Sequence, residues 1–125
     1  MKRTPIRRRR SQPVASGIIA DKPWPASWMS EADWQQTVEA NAALYGWEYF
    51  HMRLPRMSRE GLPDLVLWKD RELWRELKVR DKEGKAPSLR PDQWRIINRI
   101  NSAGGNAKPW YWPDDYEEMI EELKR

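Results

Sequence analysis

The stretch Gly61-Leu62-Pro63-Asp64-Leu65-Val66-Leu67-Trp68-Lys69-Asp70-Arg71-Glu72-Leu73-Trp74-Arg75-Glu76-Leu77-Lys78 decides the fold. Asp64 to Trp68 is a short apolar run bounded by Pro63 on one side and Lys69-Asp70 on the other, the pattern of a buried strand. Arg71 to Val79 alternates, which places Leu73, Arg75 and Leu77 on one face of a strand and Trp74, Glu76 and Lys78 on the other. A turn at Lys69-Asp70 joins the two runs into a hairpin.

Working outward, Trp47 to Arg53 is aromatic-rich and predicts an earlier strand, separated from the hairpin by a loop from Leu54 to Pro63. Before it, Ser30 has the chemistry of a helix cap, Asp33 stands three residues later, and Gly46 marks the stop. In that helix Trp34, Val38, Ala42 and Tyr45 share one stripe, interrupted by Glu31 and Gln35, with Glu39 toward its edge. After the hairpin comes a charged loop, Arg80 to Leu89. Pro91 then opens a helix that runs to about Ala103, with Ile96, Ile97, Ile100 and Gln93 on one side. Ala107 to Trp112 predicts a fourth strand, and Asp114-Asp115 begins a last helix with Tyr116, Met119, Ile120 and Leu123 at helical spacing. The expectation is an α/β domain of about four strands in a mixed sheet flanked by helices, in the order αβββαβα.

A length of 125 residues suits one domain. Residues 1–23 hold seven basic side chains against Asp21, a net +6, so the other 102 residues of a chain carrying +4 sum to −2. We therefore divide the chain into a disordered basic arm, 1–23, and a domain, 24–125. The run Arg7, Arg8, Arg9 and Arg10 suits a polyanion, since such clusters displace counterions from nucleic acid; a solvated tail is the alternative. The chain has no cysteine and one histidine, which excludes disulfide frameworks, thiolate nucleophiles and histidine-rich metal sites. No membrane or secretion signal is visible, which points to the cytoplasm. Most of the nine tryptophans should anchor the core, leaving one or two to stack on unpaired bases.

Hydrolysis of a phosphodiester needs an activated water, neutralised phosphoryl oxygens and help for the leaving oxygen, and magnesium held by carboxylates supplies all three. Asp64 at the start of one strand and Glu76 on the next can meet at one end of the sheet, eleven residues lying between them in sequence. Lys78 shares the Glu76 face, where its ammonium can orient the attacking water. A PD followed by an ExK is a short string, and a solvated salt-bridge hairpin would also contain it. Glu31 and Gln93, polar residues on otherwise apolar stripes, would be costly to bury without partners, and a shared metal site would explain both.

The ordered set Ser30-Glu31-x-x-Trp34-Gln35, Gly46-Trp47, His51, Gly61-x-Pro63-Asp64-Leu65, Glu76-x-Lys78, Gln93 and Gly104 resembles the VRR-NUC group of PD-(D/E)XK nucleases, in particular its compact stand-alone members in bacteriophages. The similarity covers residues 28 to 123. It implies a restriction-endonuclease-like fold and a metal-dependent DNA endonuclease using Mg2+, with Mn2+ as substitute. It makes Asp64 and Glu76 metal ligands, the Leu77 carbonyl a further one and Lys78 the catalytic lysine. Glu31 corresponds to the first-helix acid that completes the site, as a ligand or beside it, and Gln93 to the glutamine after the lysine strand. Branched DNA such as a Holliday junction is the implied partner, in replication, repair or recombination, with a homodimer left open.

One position departs from the family pattern, since Arg90 stands where a small hydroxyl residue usually caps the Gln93 helix. Either the cap is weakened or Arg90 contacts a phosphate. Arg53, Arg56 and Arg59 either grip phosphates beside the site or form a solvated loop. His51 reads as a strand-end packing or hydrogen-bonding residue in preference to a base. Two other functions fit the same chain: a catalytically inactive DNA-binding module of this fold, and a protein-interaction domain using its tryptophans and acidic last helix.

Overall fold

In a computed structural model that describes residues 29–52 and 60–125, the elements run α1 (Glu31–Leu44), β1 (Glu48–His51), β2 (Leu65–Trp68), β3 (Glu72–Val79), α2 (Pro91–Ser102), β4 (Ala107–Trp112) and α3 (Tyr116–Lys124). This is the expected αβββαβα order. The arm 1–23, with Arg7, Arg8, Arg9 and Arg10, lies outside the described residues, as do residues 24–28 and Arg53, Arg56 and Arg59.

Helix α1 starts where Ser30, in extended backbone, accepts a 3.0 Å hydrogen bond on its Oγ from the Asp33 N–H. Glu31 and Asp33 place negative charge at the positive end of the helix dipole. The helix ends in a Schellman closure: the Trp47 N–H donates to the Ala42 carbonyl and the Gly46 N–H to Ala43, with Gly46 at φ +87°. Trp47 therefore belongs to the closure, and β1 begins one residue later than the sequence pattern suggests. Its indole turns into the core, donating from Nε1 to the Leu123 carbonyl at 2.8 Å, with the Arg71 guanidinium 4.8 Å from the ring centroid.

The four strands form one mixed sheet in the order β1-β2-β3-β4. β1 with β2 and β2 with β3 are antiparallel, the hairpin pairing Leu65 with Arg75 and Trp68 with Glu72. β4 lies parallel to β3, and α2 makes the crossover such a pair requires.

Alternation along β3 sorts the layers. Leu73 and Leu77 face Trp34, Val38 and Ala42 of α1 and Met119 and Leu123 of α3, together with Leu65, Leu67, Trp110 and Trp112. Trp74 faces the other way, toward Ile97 and Ile100 of α2, Leu89 and Ala107. Buried indoles need partners for their N–H groups, and Trp34 donates to the Trp110 carbonyl at 3.0 Å. Arg75, on the leucine face, is buried as well. Its guanidinium lies 4.6 Å from the Trp110 ring centroid and donates to the Trp74 and Asn106 carbonyls. Burial lowers its pKa to about 10, with Glu122 and Glu118 opposing the shift.

No helix among the described residues is long and apolar enough to cross a membrane.

Candidate active site

Four of the residues singled out in the sequence meet at one end of the sheet. Asp64 sits immediately before β2, where pairing with β3 has stopped at Leu65 opposite Arg75, so the backbone of Leu77 has no β2 partner. The Asp64 carboxylate takes that place, its Oδ2 accepting from the Leu77 N–H at 2.9 Å. In a strand the N–H and C=O of one residue project to the same side. The Leu77 carbonyl accordingly faces the Asp64 side.

Glu76 is 4 % exposed. Its Oε2 accepts a 2.9 Å hydrogen bond from Gln93 Nε2 and lies 3.6 Å from the Lys78 ammonium. Its Oε1 is buried and has no hydrogen-bond partner among the described residues. Burial, first, and then the charge of Asp64 push the Glu76 carboxyl up to about 7; Lys78 pulls it down, while the hydrogen bond that a protonated Glu76 donates to Asp64 and the charge of Glu31 add to the rise. An acid held this way favours a proton or a cation.

The backbone that delivers these groups is tightly built. Gly61, at φ +93°, packs so closely on the start of α2 that an added Cβ would lie 2.7 Å from the Asp92 carbonyl oxygen. This fixes Pro63 and Asp64 against the helix that carries Gln93. At the α2 N-terminus the Gln93 Oε1 accepts from the Arg90 N–H at 2.9 Å, and the Asp92 carboxylate accepts from the Gln93 N–H at 3.0 Å. Arg90, a guanidinium without acceptor atoms, cannot itself cap a helix. Gln93 and Asp92 take over that task. The Arg90 side chain is exposed and paired with Asp92 at 3.1 Å, so its charge is already balanced.

Glu31 departs from expectation. Helical phase places it on the buried stripe, but it is exposed, because the first turn of α1 opens to solvent. Its charge still reaches Glu76. Gln35 and Glu39 of α1, by contrast, are half-buried. Gln35 Nε2 donates to Glu39 at 2.7 Å and lies 2.9 Å from Nδ1 of His51, which makes His51 a hydrogen-bonding residue at a strand end. This network escaped the sequence reading, although Gln35 on an apolar stripe was its signal. Among the described residues no group of three or more His, Cys, Asp or Glu side chains stands at metal-holding distance. The acids that come together are the pair Asp64 and Glu76.

No protein-family model, curated protein or solved structure matches the chain.

Proposed function

We propose that the chain is a metal-dependent DNA endonuclease of the PD-(D/E)XK type, with a restriction-endonuclease-like fold, cutting branched or junction-containing DNA. The observation that carries the reading is Glu76: a buried carboxyl with one orphaned oxygen, turned toward a second carboxylate and held by an amide and an ammonium. A buried polar atom without a partner costs about 1–3 kcal/mol, more if charged, and neighbouring acids repel. A divalent cation relieves both costs.

The residues present fit such an ion. Asp64, Glu76 and the Leu77 carbonyl are the hard oxygen donors that magnesium or manganese takes, with Glu31 near enough to add negative charge from outside. Bound there, the ion would supply an activated water and neutralise phosphoryl oxygens. Gln93 fixes the Glu76 Oε2, and the Leu77 N–H fixes Asp64. The half-buried Lys78 ammonium holds and orients a water beside Glu76, and in the transition state it faces the developing negative charge. The branched-DNA preference is supported by the resemblance to VRR-NUC nucleases. Resolution of a junction would call for a homodimer, because two symmetric cuts need two-fold symmetry.

The test is incubation of purified protein with plasmid, linear duplex and four-way junction DNA, in magnesium, in manganese and in chelator. Cleavage with either metal, absent in chelator and absent in Glu76→Gln, is the expected result. DNA binding without cutting under every condition would instead identify an inactive DNA-binding module.

A further inference from the structure

The described surface arginines divide into two groups. Arg71 pairs with Asp70 and Glu122, Arg80 with Asp114, Arg90 with Asp92, and Arg125 with Glu122. Arg95 and Arg99 have no acidic partner within salt-bridge distance among the described residues, and both stand on the exposed side of α2. They are four apart, hence neighbours on the helix, and like charges at this spacing cost a few tenths of a kcal/mol in an isolated helix. An anion lying along the helix removes that cost.

Beside them is Trp94, 47 % exposed, although Gln93, Ile96 and Ile97 on the same helix are buried. Trp94 follows Gln93 in the chain, so its ring begins one residue from the amide that holds Glu76. Asn98, one turn on from Trp94, is exposed too and adds a neutral hydrogen-bonding group. Among the described residues, the helices on the two sides of the sheet differ in the sign of their charge. The α2 layer shows Arg95 and Arg99 beside a balanced Arg90 and Asp92. On the other side, α3 carries Glu117, Glu118, Glu121 and Glu122 against Lys124, with Arg125 following it. Glu76 and Lys78 share the α2 side.

We infer that the outer face of α2 binds the substrate, with Arg95 and Arg99 on consecutive phosphates and the Trp94 indole stacked on an unpaired base. Two free positive charges beside an exposed indole match the chemistry of single-stranded nucleic acid, in which charged backbone and bare base faces alternate. Inside a duplex the base faces are covered by stacking, so the indole favours DNA with an unpaired segment. The inference rests on the nuclease reading for its choice of DNA and names which DNA is preferred.

The experiment measures binding in chelator, where cutting plays no part, by anisotropy of labelled DNA with the full chain. Wild type, Trp94→Ala and Arg95→Gln/Arg99→Gln are compared on a single-stranded oligonucleotide, a blunt duplex and RNA of the single strand's sequence, over a salt series. All three substituted side chains are exposed, and circular dichroism checks that the variants fold. Trp94→Ala should weaken single-strand binding by about tenfold or more and change duplex binding by less than about twofold. Arg95→Gln/Arg99→Gln should weaken both DNAs and lower the slope of log affinity against log salt by between about 1 and 2. Folded variants that bind as wild type would overturn the inference and leave the nuclease reading standing, and tighter binding to RNA would overturn the choice of DNA. Loss of affinity in these variants of a chain that never cuts would uphold the surface and defeat the nuclease reading.

Discussion

Gln93 donates from Nε2 to Glu76 Oε2 at 2.9 Å while its Oε1 accepts from the Arg90 N–H at the start of its own helix. One amide thus ties the cap of α2 to the buried acid of β3. Helix capping and site geometry are coupled through a single side chain. Gln93→Leu should lose both bonds at similar volume, with a stability cost of about 1–3 kcal/mol from the orphaned Arg90 N–H and Glu76 oxygen. Cleavage should fall by a larger factor than in Arg90→Ala, which leaves the backbone N–H and the amide in place. Equal losses in the two variants would break the proposed coupling.

The pH dependence of the metal-free protein has a defined sign. Glu76 titrates near 7 in the folded chain, against an ordinary value of 4.5. Between those values the folded state holds more protons than the unfolded one, so this group's contribution to stability is complete below pH 4.5 and falls as pH rises toward 7. The loss amounts to roughly 3 kcal/mol at most, converting the shift at 1.36 kcal/mol per unit. In chelator, urea unfolding at pH 5 and pH 8 should therefore show a steeper decline for wild type than for Glu76→Gln. Magnesium should restore stability more at pH 8 than at pH 5, since the ion competes with the proton. Parallel curves for the two proteins would remove Glu76 as the titrating group.

Why some of this was legible in the sequence and some was not follows from the range of each interaction. The faces of β3 follow from strand alternation, a local property, so Glu76 and Lys78 could be put together before any tertiary structure was known. The hairpin, the crossover helix and β4 were marked by Lys69-Asp70, Pro91 and Gly104-Gly105. Glu31 is exposed against its helical phase, because phase tells which way a side chain points and not whether the layer beneath extends that far. Arg75 reads as an intruder on a leucine face. Its partners, the Asn106 carbonyl and the Trp110 ring, come from β4 and the turn before it, beyond any local pattern.

Gly61 offers a test of how Asp64 is positioned. A side chain there meets two penalties, a left-handed backbone at φ +93° and a Cβ 2.7 Å from the Asp92 carbonyl oxygen. Gly84 has nearly the same backbone, φ +83°, with nothing within 4 Å of an added Cβ. Gly84→Ala should cost about 1–2 kcal/mol, the backbone term alone. Gly61→Ala should cost more by urea unfolding and should also weaken magnesium binding, because α2 and the Pro63-Asp64 segment must move apart. Indistinguishable costs would mean the close approach carries no energy.

Glu31 and Glu39, two of the three acids of α1, stand in different surroundings. Glu31 is exposed yet its charge reaches Glu76, whereas Glu39 is half-buried and engaged by Gln35 at 2.7 Å. Removing the Glu31 charge also removes a favourable contact with the helix dipole, worth about 0.3–1 kcal/mol. Asp33→Asn, in the same first turn, supplies the control for that effect. Glu31→Gln should match Asp33→Asn in unfolding free energy but lower magnesium affinity and turnover, because only Glu31 adds negative charge at the site. Glu39→Gln keeps an oxygen for Gln35 and should leave turnover near the parent value, while Glu39→Ala should lose about 0.5–1.5 kcal/mol of stability with the hydrogen bond. Metal titration by calorimetry, run beside cleavage assays on the same four variants, separates charge from packing. A Glu31→Gln protein with parental magnesium affinity and turnover would take Glu31 out of the site and leave Asp64 and Glu76 as its acids.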